Sequence, residues 1–171
     1  MICRPSGAIT NFQLYLDILI EHFVSGQEIT VVRVGNGDDA DIIPLILVWE
    51  GKVVPPTDFI FFKDDKMGLS PLGKRCTWRL ASSFLDVEVC KKLSETVRQL
   101  ADVFETRDLV RMDFRVSSDN QIHFIETNAQ PNLNSHRGGT TFAINAEFYK
   151  SKNQLEKKFL MSFLKRIQET N

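Results

Sequence analysis

The stretch that decides the fold is LVRMDFRVSSDNQIHFIETNAQPNLN, residues Leu109–Asn134. It contains two runs rich in apolar and β-branched residues, Leu109–Val116 and Gln121–Glu126, which are typical of β-strands. Between them lies Ser-Ser-Asp-Asn, a composition typical of a turn. The stretch therefore predicts a β-hairpin that leads into a loop rich in Pro and Asn.

The two faces of this hairpin are expected to differ, because successive side chains of a strand point to opposite faces. On the first strand the apolar residues share one face and the polar residues share the other: Met112, Phe114 and Val116 against Arg111, Asp113 and Arg115. On the second strand the same alternation groups Glu126 with Phe124 and Ile122. The hairpin is short enough that Asp113 and Glu126 are expected to approach each other across the strand pair.

A metal site is one interpretation of this hairpin. Asp113, Glu126 and Asn128 would supply two carboxylates and an amide oxygen, which are the hard donors that suit Mg²⁺. The alternative is that these acids lie on an exposed strand face and bind no metal. Spacing alone favours that alternative, because short motifs match by chance.

The rest of the chain predicts an α+β fold with a mainly antiparallel sheet, because turns rather than crossover helices separate the strands. Further strands are expected at 17–20, 29–34 and 41–50, with a turn at 35–39 and with Pro44 at an edge or a bulge. Amphipathic helices are expected at 86–105 and 149–168. Residues 52–79 and 134–141 are expected to be irregular.

Composition limits the classes of function. The chain has 171 residues, 43% of them apolar, and a net charge of −1. We expect a single domain over residues 1–171 that binds neither nucleic acid nor membranes, because no excess positive charge is present. Three cysteines without a C-x-x-C pair, and no signal peptide after Met1, indicate reduced thiols and a cytoplasmic location.

The hairpin motif resembles the metal-binding end of the ATP-grasp ligases, most closely the D-alanine–D-alanine ligase-like branch. The family pattern is R-x-D-F followed by E-x-N-x-x-P-G, and this chain has R-M-D-F from Arg111 and E-T-N-A-Q-P-N from Glu126. One position departs from the pattern, since Asn132 stands where the family has Gly. The resemblance implies the C-terminal subdomain of an ATP-grasp fold.

A second motif lies upstream. The family carries E-x-x-h-x-G-x-E-h-T-V, where h is apolar, and residues 21–31 read E-H-F-V-S-G-Q-E-I-T-V. The resemblance implies an adenine hinge at Glu21, His22, Phe23 and Val24, with Glu28 binding the ribose of ATP. The alternative is a plain strand–turn–strand with exposed acids.

Together the two motifs imply an ADP-forming carboxylate–amine ligase that uses ATP and Mg²⁺ or Mn²⁺ and forms an acyl phosphate. Asp113, Glu126 and Asn128 would bind the metal, and Arg111 would stabilise the acyl phosphate or the oxyanion. A backbone N–H near Asn132 would be a second donor. Lys66, with Lys63 as its rival, would lie in the family's mobile phosphate-covering loop, although a solvated charge cluster explains that segment equally well.

The resemblance covers about 17–134 and has no match for the family's upstream ATP-binding lysines or substrate domain. It implies the C-terminal half of a module, completed by an N-terminal half or by a partner chain. His136 and Arg137 are basic residues at the position where the family binds the carboxylate of the acceptor. The identity of the small carboxylate and amine substrates therefore stays open. Two alternatives remain: a non-catalytic nucleotide-binding or partner-binding module, and a ligase for another amino acid or peptide.

Overall fold

The computed structural model describes residues 22–49, 52–53, 76–133 and 139–170. The strands are β1 (Gln27–Val34), β2 (Asp41–Trp49), β3 (Lys52–Val53), β4 (Cys76–Leu80), β5 (Leu109–Val116) and β6 (Ile122–Asn128). The helices are α1 (Val87–Val103), α2 (Thr140–Ala143), a π-helical turn (Ile144–Phe148) and α3 (Gln154–Thr170). Short 3₁₀ turns lie at Gly37–Asp39 and Ala81–Ser83.

One sheet organises these elements. Its strand order is β3-β2-β1-β5-β6, and β4 pairs with β2 as well. Every pairing in the described sheet is antiparallel. The predicted α+β class with a mainly antiparallel sheet is therefore confirmed.

Both faces of the sheet carry a core, because the central strand β1 is apolar on both sides. Ile29 and Val31 pack toward α1, whose Val89, Leu93, Val97 and Ala101 cover that face. Val32 and Val34 pack on the other face, against Ile144 and Leu155. The second cover does not extend over the whole face, so part of it carries polar side chains.

The two predicted helices are present with altered bounds. Helix α1 matches the predicted 86–105 closely, and Asp86 stands at its N-cap position without a side-chain cap bond. Helix α3 begins at Gln154 rather than at residue 149, because Lys150 and Asn153 adopt positive φ and interrupt the helical path. The exposed side of α3 carries several apolar residues, namely Leu160, Met161, Phe163, Leu164 and Ile167.

Other predictions need correction. Strands β3 and β4 lie in the segment that was expected to be irregular, and the helical turns of residues 140–148 begin inside the expected loop at 134–141. Pro44 pairs only with β1 in the described sheet, since the ladder to β4 begins at Leu45, and this agrees with an edge position. The expected strand at 17–20 lies outside the described residues. Among those described, no helix has the length and apolar content needed to cross a bilayer.

Candidate functional site

A β-bulge brings the two predicted acids to one face. Phe114 pairs with Phe124, yet Asp113 pairs with Glu126, so Ile125 is an extra residue in β6. Regular alternation, as expected from the sequence, would have left Glu126 on the buried face with Phe124. That expectation is wrong, because the bulge turns Glu126 to the face of Asp113.

Arg111 lies between the two acids. Its Nε and Nη2 donate to Asp113 Oδ1 at 3.1 Å and Oδ2 at 3.0 Å, and Nη2 lies 3.9 Å from Glu126 Oε1. The Asp113 side chain is 13% exposed and that of Glu126 is 63% exposed. The forked geometry fixes the guanidinium against the inner acid and leaves the outer acid facing solvent.

Asn128 and Asn132 follow along the same edge. Asn128 pairs directly with Arg111 across β5 and β6, so the bulge also keeps it on the polar face. Its Oδ1 accepts from the Gln130 N–H at 3.0 Å, which shapes the start of the loop. The carbonyl of Asn132 accepts from the Thr141 hydroxyl at 3.2 Å, which ties this loop to α2.

A second polar cluster lies at the other end of β5. Arg115 pairs in register with Glu28, and its Nη2 lies 4.0 Å from Glu28 Oε2. Arg115 Nη1 donates to the Gly26 carbonyl at 3.2 Å, and its guanidinium lies 4.9 Å from the centre of the Phe23 ring. Arg115 thus connects the predicted adenine hinge with the predicted ribose acid.

Gly26 has a steric role in this cluster. A Cβ atom built on it would lie 2.6 Å from the Val116 carbonyl oxygen, closer than a real Cβ contact. Only glycine permits the chain to pass this close to the end of β5. The glycine of the upstream motif therefore joins the hinge to the hairpin.

The structure brings Glu28 of β1 and the four predicted hairpin residues of β5 and β6 to one face of the sheet. His22 and Phe23 are exposed and Val24 is partly exposed at the entry to β1. Glu28 is two residues from Thr30, which pairs with Asp113, so the two clusters lie about 7 Å apart along the strands. Glu21, Lys63, Lys66, His136 and Arg137 lie outside the described residues.

Two residues without a predicted role belong to this face. Alternation predicts Arg115 on the polar face without a partner, and Thr30 occurs in the upstream motif without an assigned role. The hydroxyl of Thr30 donates to Asp113 Oδ1 at 2.6 Å. The available signal was a hydroxyl-bearing residue within the otherwise apolar run from Ile29 to Val32.

The donor set fits a magnesium ion that is shared with a nucleotide. Mg²⁺ commonly binds one or two carboxylates and takes its other ligands from phosphates and water. Asp113 and Glu126 are cross-strand neighbours, with the amide of Asn128 on the same face. In the described part of the chain, no three His, Cys, Asp or Glu residues form a complete metal cage.

Comparison with known proteins adds independent information. A family model described as D-ala D-ala ligase C-terminus matches residues 8–146. The D-alanine–D-alanine ligase of Cupriavidus taiwanensis is 29% identical over 124 residues, which are 70% of this chain and 33% of that protein. The chain thus spans about a third of the length of this curated relative.

Two solved structures share the fold. The D-alanine–D-alanine ligase of Coxiella burnetii aligns with a TM-score of 0.59 and 16% identity, over 88% of this chain and 35% of that one. The VanG D-Ala:D-Ser ligase of Enterococcus faecalis aligns with a TM-score of 0.56 and 15% identity, over 82% of this chain and 37% of that one. These matches confirm the predicted ATP-grasp C-terminal architecture.

Proposed function

Because the chain belongs to the D-ala D-ala ligase C-terminus family, we propose that it carries the nucleotide-binding and metal-binding wall of an ATP-dependent carboxylate–amine ligase. In such a reaction, ATP phosphorylates a carboxylate, and an amine then displaces phosphate from the acyl phosphate to form an amide and ADP. The remainder of the active site would come from an N-terminal ATP-grasp half, in the same protein or in a partner chain.

One observation carries this proposal: Arg111, Asp113, Glu126 and Asn128 form two facing cross-strand pairs on one face of the hairpin. With Ile125 present in β6, a bulge is what keeps both pairs in register on this face. β-Bulges next to functional sites commonly re-aim a side chain in this way. Surface acids without a function would not require a bulge that brings Glu126 to the face of Asp113.

Each residue of the hairpin has a role in the proposed chemistry. Asp113, Glu126 and Asn128 would hold Mg²⁺, which neutralises charge on the phosphate oxygens. Arg111 offers a planar cationic fork at the same place and would stabilise negative charge on the acyl phosphate. Phosphoryl transfer depends mainly on such positioning and charge neutralisation, so a sheet that fixes these side chains suits it.

The Glu28–Arg115 cluster supports the nucleotide assignment. A purine needs an apolar wall with a few fixed polar groups, and Phe23 with the hinge backbone provides both. Arg115 restrains Phe23, Gly26 and Glu28 together. The carboxylate of Glu28 would then accept from the ribose hydroxyls. Since ATP is the proposed substrate, we place the reaction in the cytoplasm.

The names of the relatives, which are D-Ala–D-Ala and D-Ala:D-Ser ligases, are the basis for a substrate class. We therefore propose a small amino acid as the amine, with D-alanine and D-serine as the first candidates. A ligase for another amino acid or a short peptide is the neighbouring possibility, and competition among such amines would identify it.

The proposal is tested by Glu126→Gln, which removes one charge and keeps the shape of the side chain. We expect ADP formation, measured with ATP, Mg²⁺ and D-alanine or D-serine, to fall at least about 100-fold, because loss of a direct ligand should cost no less than loss of an outer-shell partner. Folding should be unchanged, because Glu126 is 63% exposed. Glu95→Gln on the outer side of α1 is the matched control.

Two results would contradict the ligase assignment. If the parent chain, supplied with its complementary half, forms no ADP with any amine, it is a binding module. If Glu126→Gln turns over as fast as Glu95→Gln, the acids of the hairpin bind no catalytic metal.

A further inference from the structure

We infer that Thr30 is the positioning residue for Asp113 and sets the metal affinity of the hairpin, an inference that rests on the proposed function. Thr30 lies in the middle of β1, where it pairs with Asp113 on one side and with Leu45 on the other. Its hydroxyl donates to Asp113 Oδ1 at 2.6 Å. This contact joins the central strand of the sheet to the proposed metal ligand.

Packing alone does not explain a threonine at this position. Thr30 is 2% exposed, and Ile29, Val31 and Val32 beside it are apolar and buried. A buried hydroxyl costs free energy unless it forms a hydrogen bond, and valine would fill nearly the same volume without that cost. The hydroxyl is therefore best explained by what it does to Asp113.

The hydroxyl restrains the one soft torsion of Asp113. The χ2 torsion of aspartate is broad, so packing around the Cβ atom does not fix the plane of the carboxylate. Threonine is β-branched and stiff at χ1, so its hydroxyl is already aimed when the strand forms. With Thr30 and Arg111 both bonded to Oδ1, the carboxylate plane is fixed before a ligand arrives.

Arg111 alone would not hold this orientation through the reaction. Arg111 is the residue proposed to interact with the acyl phosphate, and any movement toward that group weakens its two bonds to Asp113. Thr30 is buried and has no proposed contact with the substrate. It would keep Asp113 aimed at the shared face while Arg111 engages the substrate.

The test compares Thr30→Val, which lacks the hydroxyl, with Thr30→Ser, which keeps it. Binding of Mn²⁺ to the full chain with saturating ATP is measured by water proton relaxation enhancement, which separates the protein-bound Mn²⁺–ATP complex from the free complex, well below the melting temperature. We expect Thr30→Val to weaken Mn²⁺ binding by about 10-fold or more, as for other partners of metal-binding carboxylates, and Thr30→Ser to bind like the parent. Thr106→Val, which removes a hydroxyl bonded to the Ala101 carbonyl away from the site, should also bind like the parent.

A purely structural role would lower the melting temperature of Thr30→Val without changing its Mn²⁺ affinity, and that result would overturn the inference. Equal losses in Thr30→Val and Thr30→Ser would also overturn it, because packing would then be responsible. If Thr30→Val does not fold, Thr30→Ala replaces it against Thr30→Ser, with the same expected difference. A parent chain that binds no Mn²⁺ overturns the proposed function and this inference together, whereas a parent that binds beside an unchanged Thr30→Val overturns this inference alone.

Discussion

Asp108 shows how much a single residue contributes to the frame behind the site. It directly precedes β5 and has a side chain that is 5% exposed. Its Oδ1 accepts from Asn36 Nδ2 at 2.7 Å and from Ser162 Oγ at 3.0 Å, and its Oδ2 accepts from Arg166 Nε at 2.7 Å. One carboxylate thus joins the β1–β2 connection, β5 and α3.

We expect Asp108→Asn to destabilise the chain by about 1–3 kcal/mol, because the buried carboxylate loses its charged bond to Arg166, which is itself 37% exposed. Asparagine tolerates the positive φ of this position as well as aspartate does, so backbone strain is not added. Urea unfolding measures the loss. Asp38→Asn, an exposed change of the same kind, should leave stability within about 0.5 kcal/mol of the parent.

The same carboxylate gives this prediction a pH signature. Burial alone would raise the pKa of Asp108, but hydrogen bonds from Asn36, Arg166 and Ser162 outweigh burial and hold the pKa below its ordinary value. Because the pKa is lower in the folded state, the ionised carboxylate stabilises the fold at pH values above the unfolded pKa of about 3.9. This stabilisation is lost as the pH falls through the folded pKa. The stability difference between parent and Asp108→Asn should therefore shrink below about pH 4. A difference that stays constant down to pH 2 would assign the loss to shape rather than to charge.

Sequence reasoning at the residue scale succeeded where the motif was local. Arg111 and Asp113 share the polar face that alternation predicted, whereas alternation grouped Asn128, like Glu126, with Phe124. Thr30 and Asp108 could not be predicted, because their contacts join residues far apart in the chain, as in the pair of Thr30 with Asp113. Such contacts depend on the pairing of β1 with β5 and on the docking of α3, which no short pattern encodes.

At the scale of elements, the bulge in β6 makes a sharp prediction. Deleting Ile125 would leave a regular ladder in which Glu126 still pairs with Asp113 and Asn128 still pairs with Arg111. We expect this deletion to retain Mg²⁺-dependent ADP formation, at a modest cost in stability. Deleting Thr127 instead would move Asn128 to the buried face, and we expect activity to be lost.

The two deletions remove one residue each from the same strand, so each controls for the other, and circular dichroism checks that both variants fold. Equal loss of activity in both variants would show that register is not what assembles the site. Activity retained only in the Thr127 deletion would contradict the observed pairing directly.

Elements were predictable where their pattern is strong and self-contained. Helix α1 shows a three- and four-residue apolar repeat over 17 residues, and its position was predicted well. Strand β4 has five residues and includes Arg79, whose partner Glu147 lies in the π-helical turn, so its own pattern is weak. The bulge at Ile125 has no glycine or proline to mark it, and for this reason alternation gave the wrong face for Glu126.

For the molecule as a whole, the proposed ATP site predicts a ligand-dependent stability. A ligand that binds only the folded chain raises its stability by about 2.7 kcal/mol at one hundred times its dissociation constant. We expect Mg²⁺–ATP to raise the melting temperature of the parent. The increase should be much smaller for Glu28→Ala, since the lost ribose contacts weaken binding by about 1–3 kcal/mol.

Each variant is compared with its own melting temperature without ligand, because loss of Glu28 also removes the partner of Arg115. Glu88→Ala, an exposed acid in the first turn of α1, is the control and should keep the full increase. Equal increases in Glu28→Ala and Glu88→Ala would remove Glu28 from the ribose site.

Gly26 has a mechanical consequence for the whole molecule. Since this glycine allows the predicted hinge to lie directly against the end of β5, the residues proposed to bind the base and the metal belong to one continuous strand pair. If ATP binds as proposed, the distance from adenine to the phosphates is set by the register of β1 and β5, which forms when the chain folds. Any closure over a nucleotide would then come from segments outside this strand pair, which keeps a constant distance between the two clusters.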